Sequence, residues 1–276
     1  MRKLCIYCIA VAMLLPMTVI AQTEEKLDAE FGGRFSAGID KKIVKGLHVF
    51  VEEEVRVDDN FHSFGRFQTT LGVSYKVHNN IKLGVGYALI NPYDSDDKAF
   101  KFRHRIYADI TGTLHLGQWN ISLKERFQMT HRSGDFNVYQ NPANALTLKS
   151  RLTFKYKGFG RFVPYAFVEI RSYHNAPVVS AAYDGSGYLP IPDSDQNSDT
   201  PGWFLQGFKG AYINRVRSSL GIDVKLSKQH TLNVYFLADY VRDKVLDANA
   251  EGTKLKSYTK QTGFVGSVGV GYEFSF

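Results

Sequence analysis

The last fourteen residues, Gly263 to Phe276, restrict the fold more than any other stretch of this chain. Read alternately, Phe264, Val268, Val270, Tyr272, Phe274 and Phe276 fall on one side, and Ser267, Gly269, Gly271, Glu273 and Ser275 on the other. Period two is the signature of a β-strand, here apolar on one face only. Edge N–H and C=O groups find no water in lipid, so a strand that crosses a membrane must belong to a closed barrel.

The alternation recurs from Leu47 onward as paired segments joined by tight turns. Phe67, Leu71, Val73, Tyr75 and Val77 turn at His78-Asn79-Asn80 into Ile81, Leu83, Val85, Tyr87 and Leu89. Phe100, Phe102, Ile106, Ala108, Ile110, Leu114 and Leu116 turn at Gly117-Gln118 into Trp119, Ile121, Leu123, Phe127 and Met129. Leu146 to Tyr156 turns at Lys157 to Gly160 into Phe162 to Ile170, and Val216 to Leu226 turns at Ser227 to Gln229 into Leu232 to Tyr240. A sheet in water also alternates. The connections, however, alternate between short turns and long loops, as in outer-membrane barrels, and Tyr75, Tyr87, Trp119, Tyr156, Tyr240 and Tyr272 sit near segment ends, where aromatic girdles form. A secreted sandwich or lipocalin-like barrel is the soluble alternative.

The chain therefore reads as all-β, a single antiparallel transmembrane β-barrel. Short turns face the periplasm; Pro92 to Lys98, Arg132 to Asn144, Asn175 to Pro201 and Arg242 to Lys256 form outward loops. The proline-rich Asn175 to Pro201 is read as loop throughout. Ten segments follow from Leu47; a hairpin at Gly32-Gly33 adds two, so about twelve strands are expected, with ten as the alternative.

At the other end, Arg2 and Lys3 precede the apolar run Leu4 to Ile20, and Ala21 precedes polar Gln22 to Glu25, the three parts of a secretory signal peptide. Residues 1–21 are read as that peptide and 22–276 as the barrel domain. Both cysteines, Cys5 and Cys8, leave with it, which excludes disulfide, thiolate and cysteine-metal chemistry from the mature chain. Losing Arg2 and Lys3 lowers the net charge from +7 to +5.

The cations are concentrated on the face opposite the apolar one. Arg66, Lys76, Lys82, Lys101, Arg103, Arg105, Lys124, Arg126, Lys149, Arg151, Lys155, Arg171, Arg215, Arg217 and Lys225 share it with fewer acids, chiefly Glu52, Glu54, Asp109, Glu169, Asp223, Asp239 and Glu273. Two readings stand. The lumen is a basic conduit or pocket for anionic solutes, with Arg66, Arg103, Arg105, Lys124, Arg126, Lys149, Arg151, Glu169, Arg171, Arg215 and Arg217 as its working residues. In the other reading the interior is packed by Arg and Lys paired with carboxylates. Glu53 and Glu125 fall on the apolar face, where a bulge in either strand would turn the acid inward. The eight histidines are scattered without metal-ligand spacing, so neither metal nor cofactor is expected. No phosphate loop or nucleic-acid fold appears, so nucleic acid is excluded as a partner.

Three resemblances add to this. The aromatic Phe276 resembles the assembly signal of bacterial outer-membrane barrels, which implies recognition by the barrel assembly machinery. His131-Arg132-Ser133 is similar in spacing and placement to the histidine and serine of outer-membrane phospholipases, in which a base beside a serine cleaves acyl esters at the membrane surface. Phe102 to Tyr107 through Lys124 to Gln128, with Pro164 to Glu169, Asn214-Arg215 and Gly271 to Phe274, resembles a family of bacterial outer-membrane barrels known only as a domain of unknown function. That resemblance runs over roughly Leu27 to Phe276 and implies a Gram-negative outer membrane, lipid as the surrounding partner and one barrel, but no activity.

The leading functional reading is a transport or structural, porin-like barrel; the alternatives are a lipid-active hydrolase using His131 and Ser133, and a surface-binding barrel acting through its outer loops. N-terminal sequencing of the protein purified from membranes should begin at Gln22; a chain that keeps Met1 would make residues 1–21 an anchor.

Overall fold

A computed structural model describes residues 23–94, 97–133, 137–181, 203–250 and 255–276. Its strands in chain order are β1 (Thr23–Lys26), β2 (Glu30–Val44), β3 (Leu47–Asp58), β4 (Ser63–His78), β5 (Ile81–Asp94), β6 (Ala99–Phe100), β7 (Phe102–Leu116), β8 (Trp119–Ser133), β9 (Asn144–Tyr156), β10 (Phe162–Ala181), β11 (Trp203–Lys225), β12 (His230–Ala248) and β13 (Leu255–Ser275). Long strands pair antiparallel with their neighbours, and β13 returns to β2. Eleven strands thereby close a barrel, with the short β1 and β6 outside the ring, in line with the expected architecture of about twelve. Closure gives each strand two partners, so no long edge is left unpaired.

The seam is where the structure departs from the sequence expectation. Gly32-Gly33 is no hairpin turn: β2 runs straight through it, with Gly33 opposite Val57 and Arg34 opposite Arg56. Both glycines serve close approach instead. A side chain at Gly32 would overlap the Val57 carbonyl oxygen, and one at Gly33 would come within 2.7 Å of the Phe61 ring. The turn lies at Lys45-Gly46, where Gly46 takes a φ of 85° that favours glycine. Because β2 is one strand, the count in the ring is odd, and β2 must run parallel to β13, from Glu30 opposite Val265 to Asp40 opposite Ser275. β1 extends this parallel ladder, Thr23 to Lys26 against Thr259 to Thr262. The described N-terminal residues therefore lie at the long-loop end.

Residue placement is inverted relative to a protein in water. Leu220 is 67% exposed and Phe264 58% on the outside, whereas Asp239 is 1% and Glu169 3% exposed on the inside. Phe264, Val268, Val270 and Tyr272 all point outward, as the alternation requires. Inside, four glycines sit directly opposite four aromatic residues on the next strand: Gly72 with Phe50, Gly86 with Tyr107, Gly221 with Tyr165 and Gly269 with Tyr235. A side chain on any of them would meet the facing aromatic side chain, so each ring lies across the wall where its partner has no Cβ.

The short turns fall at Asn79-Asn80, Gly117-Gln118, residues 157–161 and 226–229, close to the expected positions. At the other end strands run further than expected. β5 includes Pro92, β8 includes Arg132 and Ser133, and β12 continues to Ala248. β10 continues through Pro177 to Ala181; register shifts on both sides of Pro177 show how a residue without an N–H is accommodated. The rest of the expected loop, residues 182–201, lies outside the described residues. One connection at this end, Asp59 to His62, is as short as the turns. The extended ends of β10 to β13 enclose an apolar cluster of Val179, Leu205, Leu246 and Ala248, with Phe208 and Tyr258 packed against it. The β8–β9 connection reaches across to β12: Asn137 Nδ2 donates to the Asn249 carbonyl at 2.9 Å and Gln140 Nε2 to Asp247 Oδ1 at 2.9 Å.

Gly269→Ala should destabilise the folded barrel by about 1–3 kcal/mol through overpacking against Tyr235. In a Tyr235→Ala background the same change should cost little, and a urea-unfolding double-mutant cycle measures that coupling.

Candidate functional site

Inward positions repeat every second residue, and the antiparallel register lines them up from strand to strand. One row runs Asp109, Arg126, Lys149, Arg171, Arg215 across β7 to β11. The next runs Lys124, Arg151, Glu169, Arg217, Asp239 across β8 to β12. The two rows differ in charge balance. The second interleaves acids with bases, whereas the first places four cations side by side with a single carboxylate at its end.

Ion pairing follows that difference. In the second row Glu169 lies 2.6 Å from Arg151 and 3.9 Å from Arg217, and Arg217 bonds Asp239 through two nitrogens at 2.7 and 2.8 Å. Asp239 also meets Arg34 at 3.6 Å and Arg215 at 3.4 Å, which joins β2, β11 and β12 through one buried carboxylate. In the first row Asp109 takes Arg126 at 2.7 Å and Lys124 at 3.3 Å. Arg171 Nε donates to the Asn214 amide oxygen at 2.8 Å instead of to a carboxylate, and the Nε of Arg215 has no hydrogen-bond partner. Among the described residues, Lys149 has no carboxylate within ion-pair distance. Arg103 and Arg105 are likewise unpaired; Arg105 Nε donates to the Thr130 hydroxyl at 3.0 Å. Like charges directly opposite one another on neighbouring strands are destabilising, so this row carries an unmet demand for negative charge.

The rows border a central cavity of about 910 Å³. It reaches from Asp40 and Glu273 near the short-turn end to Asn141, Pro142 and Pro177 near the other. Fourteen of its lining side chains are Arg or Lys and five are Asp or Glu. A side chamber of about 60 Å³ opens among Lys124, Arg126, Lys149, Arg151 and Glu169. Two guanidinium groups sit over inward aromatic rings, Arg126 on Tyr107 at 3.9 Å and Arg151 on Phe167 at 4.2 Å, a favourable placement for a cation.

The structure places the eleven working residues together: Arg66, Arg103, Arg105, Lys124, Arg126, Lys149, Arg151, Arg171, Arg215 and Arg217 line the central cavity and Glu169 the side chamber, whereas Lys76, Lys82, Lys155 and Lys225 do not line it. Lys101 is elsewhere, paired with Asp94 and Asp97 ahead of β7. Arg34, Arg56, Arg132 and Lys244 also line the cavity and escaped the sequence reading. Arg56 shares the parity of Glu52 and Glu54 and could have been found by continuing that strand; Arg132 was hidden by ending β8 too early.

Glu53 and Glu125 do face outward, because pairing passes through both without a register shift. Each has a hydroxyl partner on the next strand, Thr69 at 2.9 Å and Ser150 at 2.6 Å. His131 and Ser133 also face outward, at the long-loop end of β8. Among the described residues, no three His, Cys, Asp or Glu side chains come together as metal ligands do.

Residues 32–176, just over half of the chain, match a family model described as a protein of unknown function (DUF2490). No curated protein matches the chain.

Asp239→Ala should destabilise the barrel by roughly 3–5 kcal/mol, because it strands buried cations without their counter-charge. Replacing Arg217 by Met in the same chain should recover part of that loss, read as the urea midpoint of the folded protein.

Proposed function

From the premise that this chain belongs to that family of unknown function, whose matched region spans residues 32–176, we propose an outer-membrane barrel whose basic lumen takes up small anionic solutes and lets them pass. The fold is compatible with that location: an apolar outside needs lipid against it, and a closed ring leaves no unpaired edge in contact with that lipid.

The observation that carries the reading is the unbalanced row Arg126, Lys149, Arg171, Arg215. A lumen packed only for stability would be expected to interleave opposite charges, as the neighbouring row does. Here four adjacent strands place cations opposite one another, with Lys149 and Arg171 lacking any carboxylate within ion-pair range among the described residues. An anion supplied from solution would relieve that repulsion. The chemistry on offer is charge-assisted hydrogen bonding: planar guanidinium forks suit carboxylates and phosphates, and Lys149 offers a point charge beside them. The low-dielectric wall focuses the field of fourteen lining cations toward the cavity. Release needs no separate device, because several comparable cations along the path allow an anion to be handed from one to the next.

In planar bilayers separated by a salt gradient, the protein should give a reversal potential of the sign set by the anion. Lys149→Glu with Arg171→Glu should abolish or reverse that preference. A barrel that conducts nothing, or prefers cations before mutation, contradicts the proposal.

A further inference from the structure

Where β8 and β9 run side by side, four cations stand at the corners of a square. Lys124 lies opposite Arg151 and Arg126 opposite Lys149, all four on the inward face. The next pair of strands breaks the pattern, because there Arg151 faces Glu169. Like charges opposite one another on neighbouring strands repel, so the square calls for negative charge. The flanking strands supply part of it. Asp109 on β7 takes Lys124 and Arg126, and Glu169 on β10 takes Arg151. Four cations against two carboxylates leave two positive charges unmet, and Lys149 is the corner without a carboxylate in reach among the described residues.

The side chains of the square spread apart. Arg126 bonds Asp109 on β7 at 2.7 Å and sits over the Tyr107 ring of the same strand. Arg151 bonds Glu169 on β10 at 2.8 Å and sits over Phe167 of that strand. With the two guanidinium groups drawn to opposite sides, the four corners and Glu169 border the side chamber of about 60 Å³. By the space a single water needs, that is room for roughly four to six water-sized groups. A phosphorus with its four oxygens is a body of that size. Lys124, Arg126 and Arg151 keep 32%, 27% and 35% of their side chains exposed, whereas Asp109 and Glu169 keep 4%, so a solute meets the cations and not the acids that hold them. The four corner residues also line the central cavity, which gives space for whatever is attached to a group in the chamber.

We propose that this chamber binds the phosphate group of a small solute, either free phosphate or the head of a phosphomonoester whose remainder lies in the central cavity. The site rests on the reading of the lumen as open to anions and narrows that reading to one class. Charge selects first: a phosphate monoester carries about −1.5 to −2 near pH 7, which matches the two positive charges the carboxylates leave unmet. Shape selects next. A tetrahedron presents oxygens in several directions, to two guanidinium forks and two ammonium groups, whereas a carboxylate offers two oxygens in one plane. The corners stand five and seven residues from Trp119 on β8 and from Tyr156 on β9, near the middle of both strands, so the site lies along the lumen and not at its mouth.

Calorimetric titration of the folded full-length protein in detergent, with inorganic phosphate and separately with glycerol 3-phosphate, tests the site. Inorganic phosphate should bind at least about tenfold more tightly than acetate or chloride, as one additional charge-assisted hydrogen bond would provide. Glycerol 3-phosphate binding to the same site supports the phosphomonoester form, and phosphate binding alone supports the free ion. Lys149→Met should weaken binding at least about tenfold. That change removes a cation without a carboxylate partner, so the barrel should stay folded; Lys149→Arg should keep the affinity for phosphate. Phosphate that binds no more tightly than acetate, or equally well to Lys149→Met, overturns the proposal; if the barrel still prefers anions in planar bilayers, the lumen reading stands without the site. A barrel silent in bilayers that binds phosphate through Lys149 supports the site and removes the passage of anions instead.

Discussion

Every N–H and C=O in a sheet that is greasy on its outside has to be matched by another strand, and the rest of this structure follows from that requirement. Closure of β13 onto β2 meets it. Since β2 is continuous, closure demands a parallel ladder, an arrangement the chain accepts over eleven consecutive pairs from Val265 and Glu30 to Ser275 and Asp40. The seam is reinforced from within. Arg34 of β2 donates to Ser267 of β13 at 3.0 Å and also meets Asp239 of β12. At the short-turn end, Phe276 donates its N–H to the Asp40 carbonyl at 3.0 Å and stacks on Phe274. The one parallel joint is thus tied at both ends by groups the hairpins do not need.

Closing the ring puts polar residues inside, where their charges must be balanced or must serve a purpose. Carboxylates do most of the balancing, and each serves several cations: Asp239 three, Glu169 two, Asp109 two and Glu54 two. Asp109, Glu169 and Asp239 are themselves buried on the inner face, while their guanidinium partners line the cavity. This division leaves the lumen with a cationic surface even where the pairs are neutral overall. The four glycine–aromatic pairs work alongside it, since rings lie across the wall and one of them, Tyr107, gives Arg126 a surface to rest on.

Much of this was legible in the sequence because a strand writes its two faces in alternate residues. The outward set of β13, the turns at Asn79-Asn80 and Gly117-Gln118, and the inward positions of all eleven lumen residues follow from parity alone. What parity does not contain is which strand stands next to which, and in what register. The row Arg126, Lys149, Arg171, Arg215 exists only after four strands are aligned, and so does the contact between His131 and Asn144, thirteen residues apart. Local turn signals misled at Gly32-Gly33, where the glycines make room for Val57 and Phe61, and the turn formed at Lys45-Gly46. Pro177 misled in the opposite sense, since bulges let β10 carry a residue that a regular ladder would reject.

The central claim is that one surface of each strand meets lipid while the other meets water beside cations. Both cysteines lie at positions 5 and 8, ahead of the barrel, so a nitroxide can be placed on single cysteines introduced one at a time along β9, from Leu146 to Phe154. In lipid vesicles, collisions with dissolved oxygen should peak at Leu146, Leu148, Leu152 and Phe154, and collisions with a water-soluble anionic relaxant should peak at Lys149 and Arg151. Profiles without that two-residue rhythm, or with the relaxant reaching Leu148 and Leu152 as readily as Lys149, would contradict it.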